Sequence, residues 1–194
     1  MEIRIYFEGN KLLKSGFDVF FSGLRATARG SGSSLELVAA RDGPRDYRKA
    51  ARSHRYPQAW NILLKDSEQP MPERPDDLCR RLGIDAQYKD QVFWMVELME
   101  AWFLADREAL ASYYGNGFQR SAIGDTADVE RIPKAEVMDR LKRATRETAK
   151  REYHKVKHAP FLLEKLDSGR VQARSEHCRK LFEAVTAKLS EPQT

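Results

Sequence analysis

No stretch of this sequence stays apolar for the roughly 18 to 20 residues that a membrane-spanning helix needs, so a membrane protein is not expected. Cysteine is scarce. Cys79 and Cys178 lie far apart and form neither a CxxC pair nor a zinc spacing, which points to two free thiols in a reducing, cytoplasmic compartment. A Walker A loop is missing too. Arg29 to Ser34 reads RGSGSS and lacks the Gly-Lys-Ser/Thr that cradles nucleotide phosphates, so the chain is not itself a P-loop ATPase. No GxSxG, GxGxxG or Cys/His catalytic pattern stands out. Met1 to Phe7 alternates charged and apolar residues, where a signal peptide would run uninterruptedly apolar, so secretion is not expected.

What is present suits a water-soluble globule. Of 194 residues 41% are hydrophobic and 32% charged, enough for one domain with a real core, or for one domain plus a helical extension. The net charge of +5 is unevenly spread. Residues 1 to 130 hold 18 basic and 20 acidic residues, whereas 131 to 190 hold 16 and 8. The densest part, Arg140 to His158, has eight basic and two acidic residues. Such a stripe favours an anionic partner, nucleic acid being the commonest; a solvated helical face is the plain alternative. Lys134, Arg140, Lys142, Arg143, Arg146, Lys150, Arg151, Lys155 and Lys157 are the candidate backbone contacts.

Hydrophobic periodicity predicts alternating strands and helices. EIRIYF (from Glu2) reads as a strand, and Lys11 to Ala28 as a helix. Leu35 to Ala40 is a second strand, followed by a helix from Asp42-Gly43-Pro44 to about His54. WNILLK, from Trp60, is almost continuously apolar, as a strand buried on both faces should be. A Pro-rich loop, a short helix near Asp76 to Leu82 and a fourth strand, Gln91 to Val96, follow. Helices are expected over Glu97–Ala105 and Arg107–Tyr114, a long loop over Gly115–Arg131, and helices near Lys134–Thr148, Lys155–Asp167 and Ser175–Leu189. This order implies an α/β fold with a mostly parallel sheet flanked by helices. Residues 1–130 would form the core and 131–194 a basic helical extension packed on it, one compact domain in all.

Acidic residues follow several predicted strands: Glu8 the first, Asp66 and Glu68 the third, Glu97 the fourth, with Glu100 one helical turn on. Ligands of open parallel sheets bind outside the carboxyl ends of the strands, so these side chains are expected to converge. Like charges at close range stay ionised together only when a cation compensates. Hard oxygen donors favour Mg2+ or Mn2+, which can hold the oxygens of a phosphodiester. In extended chain, Asp66 and Glu68 would point the same way, and Glu97 and Glu100 would share a helical face. Singly, each carboxylate reads as a turn or cap residue; their joint placement carries the expectation. Asp106 reads as a helix cap. His154 and His158, at i and i+4, have no third ligand for zinc. Lys155 and His158 could contact phosphate or donate a proton to a leaving group, or simply belong to a basic helix face.

A Glu after the first strand and a DxD-like pair after a later one resemble the signature of Toprim domains, found in topoisomerases, primases and overcoming-lysogenization-defect nucleases. More closely, the chain resembles the uncharacterised bacterial domain-of-unknown-function family numbered 4276. The resemblance lies in IYFEG, LLKDSEQP, MVELMEAWFLAD, YYG, VERIPK, YHKVKHAPFLLEKLD and SEHCRKLF, in that order along nearly the whole chain. It implies a Toprim-like fold and a phage-defence setting beside a separate ATPase. Two departures from the Toprim pattern stand out: Glu68 occupies a position usually held by Asp, and Gly9-Asn10-Lys11 follows Glu8 without a second acid. The expectation is a metal-dependent nuclease with Glu8, Asp66, Glu68 and Glu100 as metal ligands and Glu97, Lys155 and His158 assisting. A non-catalytic partner of the ATPase, or a nucleotide phosphohydrolase, is the alternative. Substrate type, metal count and a monomeric or homodimeric state stay open.

Overall fold

The computed structural model describes residues 1–53, 59–72, 74 and 76–191. β1 (Glu2–Glu8) is followed by α1 (Lys11–Phe20) and α2 (Ser22–Gly30), then β2 (Ser34–Ala40), α3 (Gly43–Ala51) and β3 (Ala59–Asp66). After α4 (Asp76–Arg81) a 3-10 segment, Ala86–Gln91, leads into β4 (Val92–Met95). The rest is helical: α5 (Ala101–Ala105), α6 (Arg107–Tyr114), α7 (Arg120–Ile123), a 3-10 turn at Val129–Arg131, α8 (Lys134–Thr145), α9 (Lys155–Leu163), α10 (Ser168–Arg174) and α11 (Glu176–Ser190). The four strands form one sheet in the order β2-β1-β3-β4, parallel at every pairing. This is the α/β architecture with flanking helices that the strand–helix alternation predicts, and it is consistent with a Toprim-like arrangement.

Parallel strands need covered faces, because their crossovers lay helices on both sides. Ile3, Ile5 and Phe7 point into the larger core with Ile62 and Leu64, while Tyr6, Leu63 and Trp94 point into a smaller core on the opposite face. That two-sided burial explains why β3 is apolar at consecutive positions. α1, α5, α9 and α11 contribute to the larger core, and Tyr47 of α3 with Leu78 of α4 to the smaller. An aromatic seam locks α1 to the carboxyl-terminal helices: Phe20 stacks on Trp102 at 5.2 Å, and Phe182 lies against Phe21 at 5.5 Å. α9 packs along α1, and α11 against α2 and β4.

Several predicted boundaries move, each for a physical reason. The single helix expected over Lys11–Ala28 is two helices meeting at Phe21. The chain leaves helical dihedrals at Phe21 (φ −92°, ψ 13°), and on either side of that break Phe20 packs on Trp102 and Phe21 against Phe182, both buried. The helix expected from Glu97 starts only at Ala101. Glu97 is instead in a left-handed turn (φ 58°), where its N–H donates to Ser67 Oγ at 2.7 Å and its carbonyl accepts from the Glu68 N–H at 3.0 Å. Those tertiary bonds override helix propensity. α8 stops at Thr145, whose Oγ1 donates to the Leu141 carbonyl and accepts from the Tyr153 N–H. α9 ends at Leu163, short of the expected Asp167. α10 is unanticipated; Asp167 caps it by accepting the Arg170 N–H at 3.1 Å. The expected loop over 115–131 holds α7 and a 3-10 turn. α3 ends at Ala51, and the expected terminus near His54 lies outside the described residues. Among the described residues no helix is long and apolar enough to cross a membrane. Cys79 and Cys178 are free and buried.

Candidate functional site

The parallel sheet sends β1, β3 and β4 toward a common edge, and a cleft of about 310 Å³ opens there. Glu8 is the last residue of β1 and Asp66 the last of β3; both line the cleft, together with Glu68, Asn10, Leu13 and Met95. Its far wall is the first turn of α9, through Lys155 and Val156. His154, the residue before that helix, makes no side-chain cap. The uncapped start of α9 therefore borders the cleft beside a lysine, and the partial positive charge of a helix start suits an anion.

Each acid in the cleft has a lysine. Glu8 Oε2 is 3.1 Å from Lys65 Nζ. Glu68 pairs with Lys134, and this hydrogen bond holds the Lys134 ammonium above its ordinary pKa. Lys155 Nζ lies between Asp66 Oδ2, at 3.8 Å, and Glu100 Oε1, at 3.4 Å. Repulsion among the carboxylates is thus relieved by ammonium groups. Asp66 Oδ1 accepts the Met99 N–H at 2.8 Å. Burial nevertheless pushes the Asp66 carboxyl up to about 7; Lys155 opposes the rise and Glu100 adds to it.

The remaining sequence candidates separate by location. Glu68 sits in a left-handed turn (φ 60°), so the chain is not extended from Asp66 to Glu68 as the spacing argument assumes, yet both side chains line the cleft. Glu97 and Glu100 do not share a helical face. Glu97 turns to the start of α8, where Oε2 accepts the Lys134 N–H at 2.7 Å. Glu100 is fully buried and accepts the Tyr153 hydroxyl at 3.0 Å. His158 does not line the cleft. Its Nδ1 accepts the His154 N–H at 3.2 Å and lies 3.0 Å from the Tyr114 hydroxyl, which leaves the proton of a neutral ring on Nε2. Burial lowers its pKa, with His154 and the neighbouring lysines adding to the effect. Asp106 caps α6 and accepts from the Asp167 N–H and Arg170.

The basic stripe is largely neutralised within the chain. Arg140 pairs with Glu136, Lys142 with Glu152, Arg143 with Asp139 and Arg146 with Glu147. Lys150 covers the Tyr113 ring at 4.9 Å. Arg151 and Lys157 are exposed and have no carboxylate partner among the described residues. Sequence reasoning overlooks two groups at the site, Lys65 and Tyr153. Lys65 adjoins Asp66 in LLKD, where alternation directs it away from Asp66 and toward the neighbouring strand end. Tyr153 reads only as an aromatic in a basic run, and nothing local reveals its bond to Glu100 53 positions away.

Among the described residues no three Asp, Glu, His or Cys side chains stand close enough to hold a metal ion. The donor chemistry of the cleft still fits a hard divalent cation: all three acids offer oxygen, and Asp66 is a desolvated carboxyl whose charged form an added cation would favour. Glu8 and Glu68, both 56% exposed at the side chain, are free to turn from their lysines.

No curated protein and no solved structure matches the chain. A family model described as "Domain of unknown function (DUF4276)" matches residues 10–186, which takes in Asp66, Glu68, Glu97 and Glu100 and begins just after Glu8. With that match over nearly its whole length, the chain belongs to the DUF4276 family.

Proposed function

We propose that this chain is a metal-dependent hydrolase of nucleic-acid phosphodiesters, related to Toprim nucleases. One observation carries the reading: Glu8 and Asp66, from the ends of two adjacent parallel strands, line a single cleft with Glu68, opposite Lys155 and an uncapped helix start. Glu8, Asp66 and Glu68 would hold Mg2+ or Mn2+, with Glu100 close behind Asp66. The ion, when bound, supplies polarisation of a phosphoryl oxygen and an acidified water. Lys155 offsets charge on the phosphate and is placed to give a proton to the departing oxygen. Glu100, itself held by the Tyr153 hydroxyl, fixes Lys155 from behind, and the first N–H groups of α9 would attract a second phosphate oxygen. His158 has no part in this scheme, because its ring is engaged in the core. The family resemblance extends the reading to an effector subunit that acts with a separate ATPase in phage defence.

The lysine pairing of every cleft acid favours a second reading, a non-catalytic Toprim-fold module that docks on that ATPase. Incubation of the chain with labelled single-stranded DNA, double-stranded DNA and RNA, with Mg2+ or Mn2+ and with EDTA, separates the two. Metal-dependent cleavage by the wild type that disappears in a folded Asp66→Asn variant is the expected result. Cleavage that survives Asp66→Asn, or none from the wild type on any substrate, overturns the hydrolase reading.

A further inference from the structure

On the opposite side of Glu8 from the cleft lies a groove of about 480 Å³, bordered by Glu8, Arg41, Asp42, Arg48, Lys65 and Arg81. Four of these are basic, and they come from four elements or their ends: the turn after β2, α3, β3 and α4. The acids in the groove are already engaged. Asp42 caps α3 by accepting the Arg45 N–H at 3.0 Å, and Glu8 pairs with Lys65. The guanidinium groups, by contrast, have no carboxylate partners among the described residues. Arg48 donates to the Leu82 carbonyl and Arg81 to the Gln69 amide oxygen at 3.1 Å. Arg41 is exposed at the mouth. The Glu8–Lys65 ion pair is the partition between groove and cleft, since both residues line both.

This concentration of unpaired guanidinium charge contrasts with α8, where most basic groups already hold a carboxylate. A polyanion gains most where positive charge is not yet neutralised and where planar forks can grip phosphate oxygens. We propose that the groove of Arg41, Arg48 and Arg81 is a phosphate-binding subsite, which takes a backbone phosphate of a single-stranded nucleic acid whose neighbouring phosphodiester lies in the Glu8–Asp66–Glu68 cleft. The strand therefore runs across the β1 and β3 ends of the sheet, past the Glu8–Lys65 partition toward Arg41 after β2, and not along α8. This inference rests on the phosphodiester reading of the cleft.

The test is fluorescence anisotropy of a short labelled single-stranded DNA in EDTA, so that binding is read without cleavage. Three proteins are compared: wild type, Arg41→Ala with Arg81→Ala, and Lys142→Ala with Arg143→Ala. Arg48 is left alone because it supports the Leu82 carbonyl. Circular dichroism checks that both variants are folded. The groove variant is expected to bind about tenfold more weakly and to lose roughly 1.4 from the slope of log affinity against log salt, while the α8 variant changes by less than about twofold. Equal losses in the two variants, no loss in the groove variant, or no binding by the wild type overturns the subsite. Displacement of the strand by equimolar inorganic phosphate overturns the strand assignment and gives the groove to a small phosphate ligand. Cleavage is scored separately with metal present. Loss of binding without any cleavage sinks only the hydrolase reading; cleavage without the binding loss sinks only the groove.

Discussion

At Asp66 two forces oppose each other. Burial disfavours the charged carboxylate, and Lys155 at 3.8 Å favours it; burial wins, and the group titrates near 7 instead of its ordinary 3.8. Between those values the folded chain keeps a proton that the unfolded chain has released. The Asp66 contribution to stability therefore falls as pH rises from about 4 to about 7 and levels off above. Asp66→Asn keeps an oxygen for the Met99 N–H and removes that slope. At pH 8 the variant should be the more stable protein, by up to roughly 4 kcal/mol, and chemical denaturation across pH 4 to 8 measures the difference. Parallel curves for the two proteins would mean that Asp66 is ionised throughout. His158 acts in the opposite sense, since its lowered pKa costs stability as pH falls below about 6.5, but it contributes equally to both proteins. Tyr153 supports a different prediction. Its hydroxyl is a donor to fully buried Glu100, so Tyr153→Phe should lower stability by about 1–3 kcal/mol. An unchanged urea midpoint would show that the bond contributes little.

The elements that matter for the cleft are α1 and α9, and their spacing is set by Gly16. A Cβ there would lie 2.8 Å from Leu163 Cβ and press on the Pro160 carbonyl. Gly16→Ala should force α9, which carries Lys155, away from α1 and cost about 1–3 kcal/mol. Gly23 of α2 has nothing within 4 Å of such a Cβ, so Gly23→Ala should gain up to about 1 kcal/mol by reducing the freedom of the unfolded chain. Thermal unfolding of the pair tests the contrast, and a neutral Gly16→Ala would contradict the close packing. Strand and helix positions were readable where one face repeats in sequence: β1 from EIRIYF, β3 from an apolar run buried twice over, α6 and α11 from 3.6-residue periodicity. The break at Phe21, the turn at Glu97 and the stop at Thr145 were not. Each is imposed by a distant partner, Trp102 and Phe182, Ser67, or Tyr153, and a local pattern carries no trace of such partners.

For the whole molecule, the parallel order β2-β1-β3-β4 brings Glu8 and Asp66, 58 positions apart, to one edge. That convergence was legible from acids placed after predicted strands, because strand direction fixes where their ends meet. The lysine assigned to each acid was not legible, nor was the neutralisation of the basic stripe by its own carboxylates. Both depend on side-chain reach across elements. The groove of Arg41, Arg48 and Arg81 was hidden for the same reason, since its residues come from separate segments with unremarkable local spacing.

The central claim is that the cleft takes a divalent cation through Asp66 and its neighbouring acids in place of their lysines. Calorimetric titration of Mn2+ into the wild type and into Asp66→Asn at pH 8, where Asp66 is ionised, tests it most directly. A saturable binding heat from the wild type that is lost in the variant is the predicted result. No heat from the wild type, or the same heat from both proteins, would contradict it.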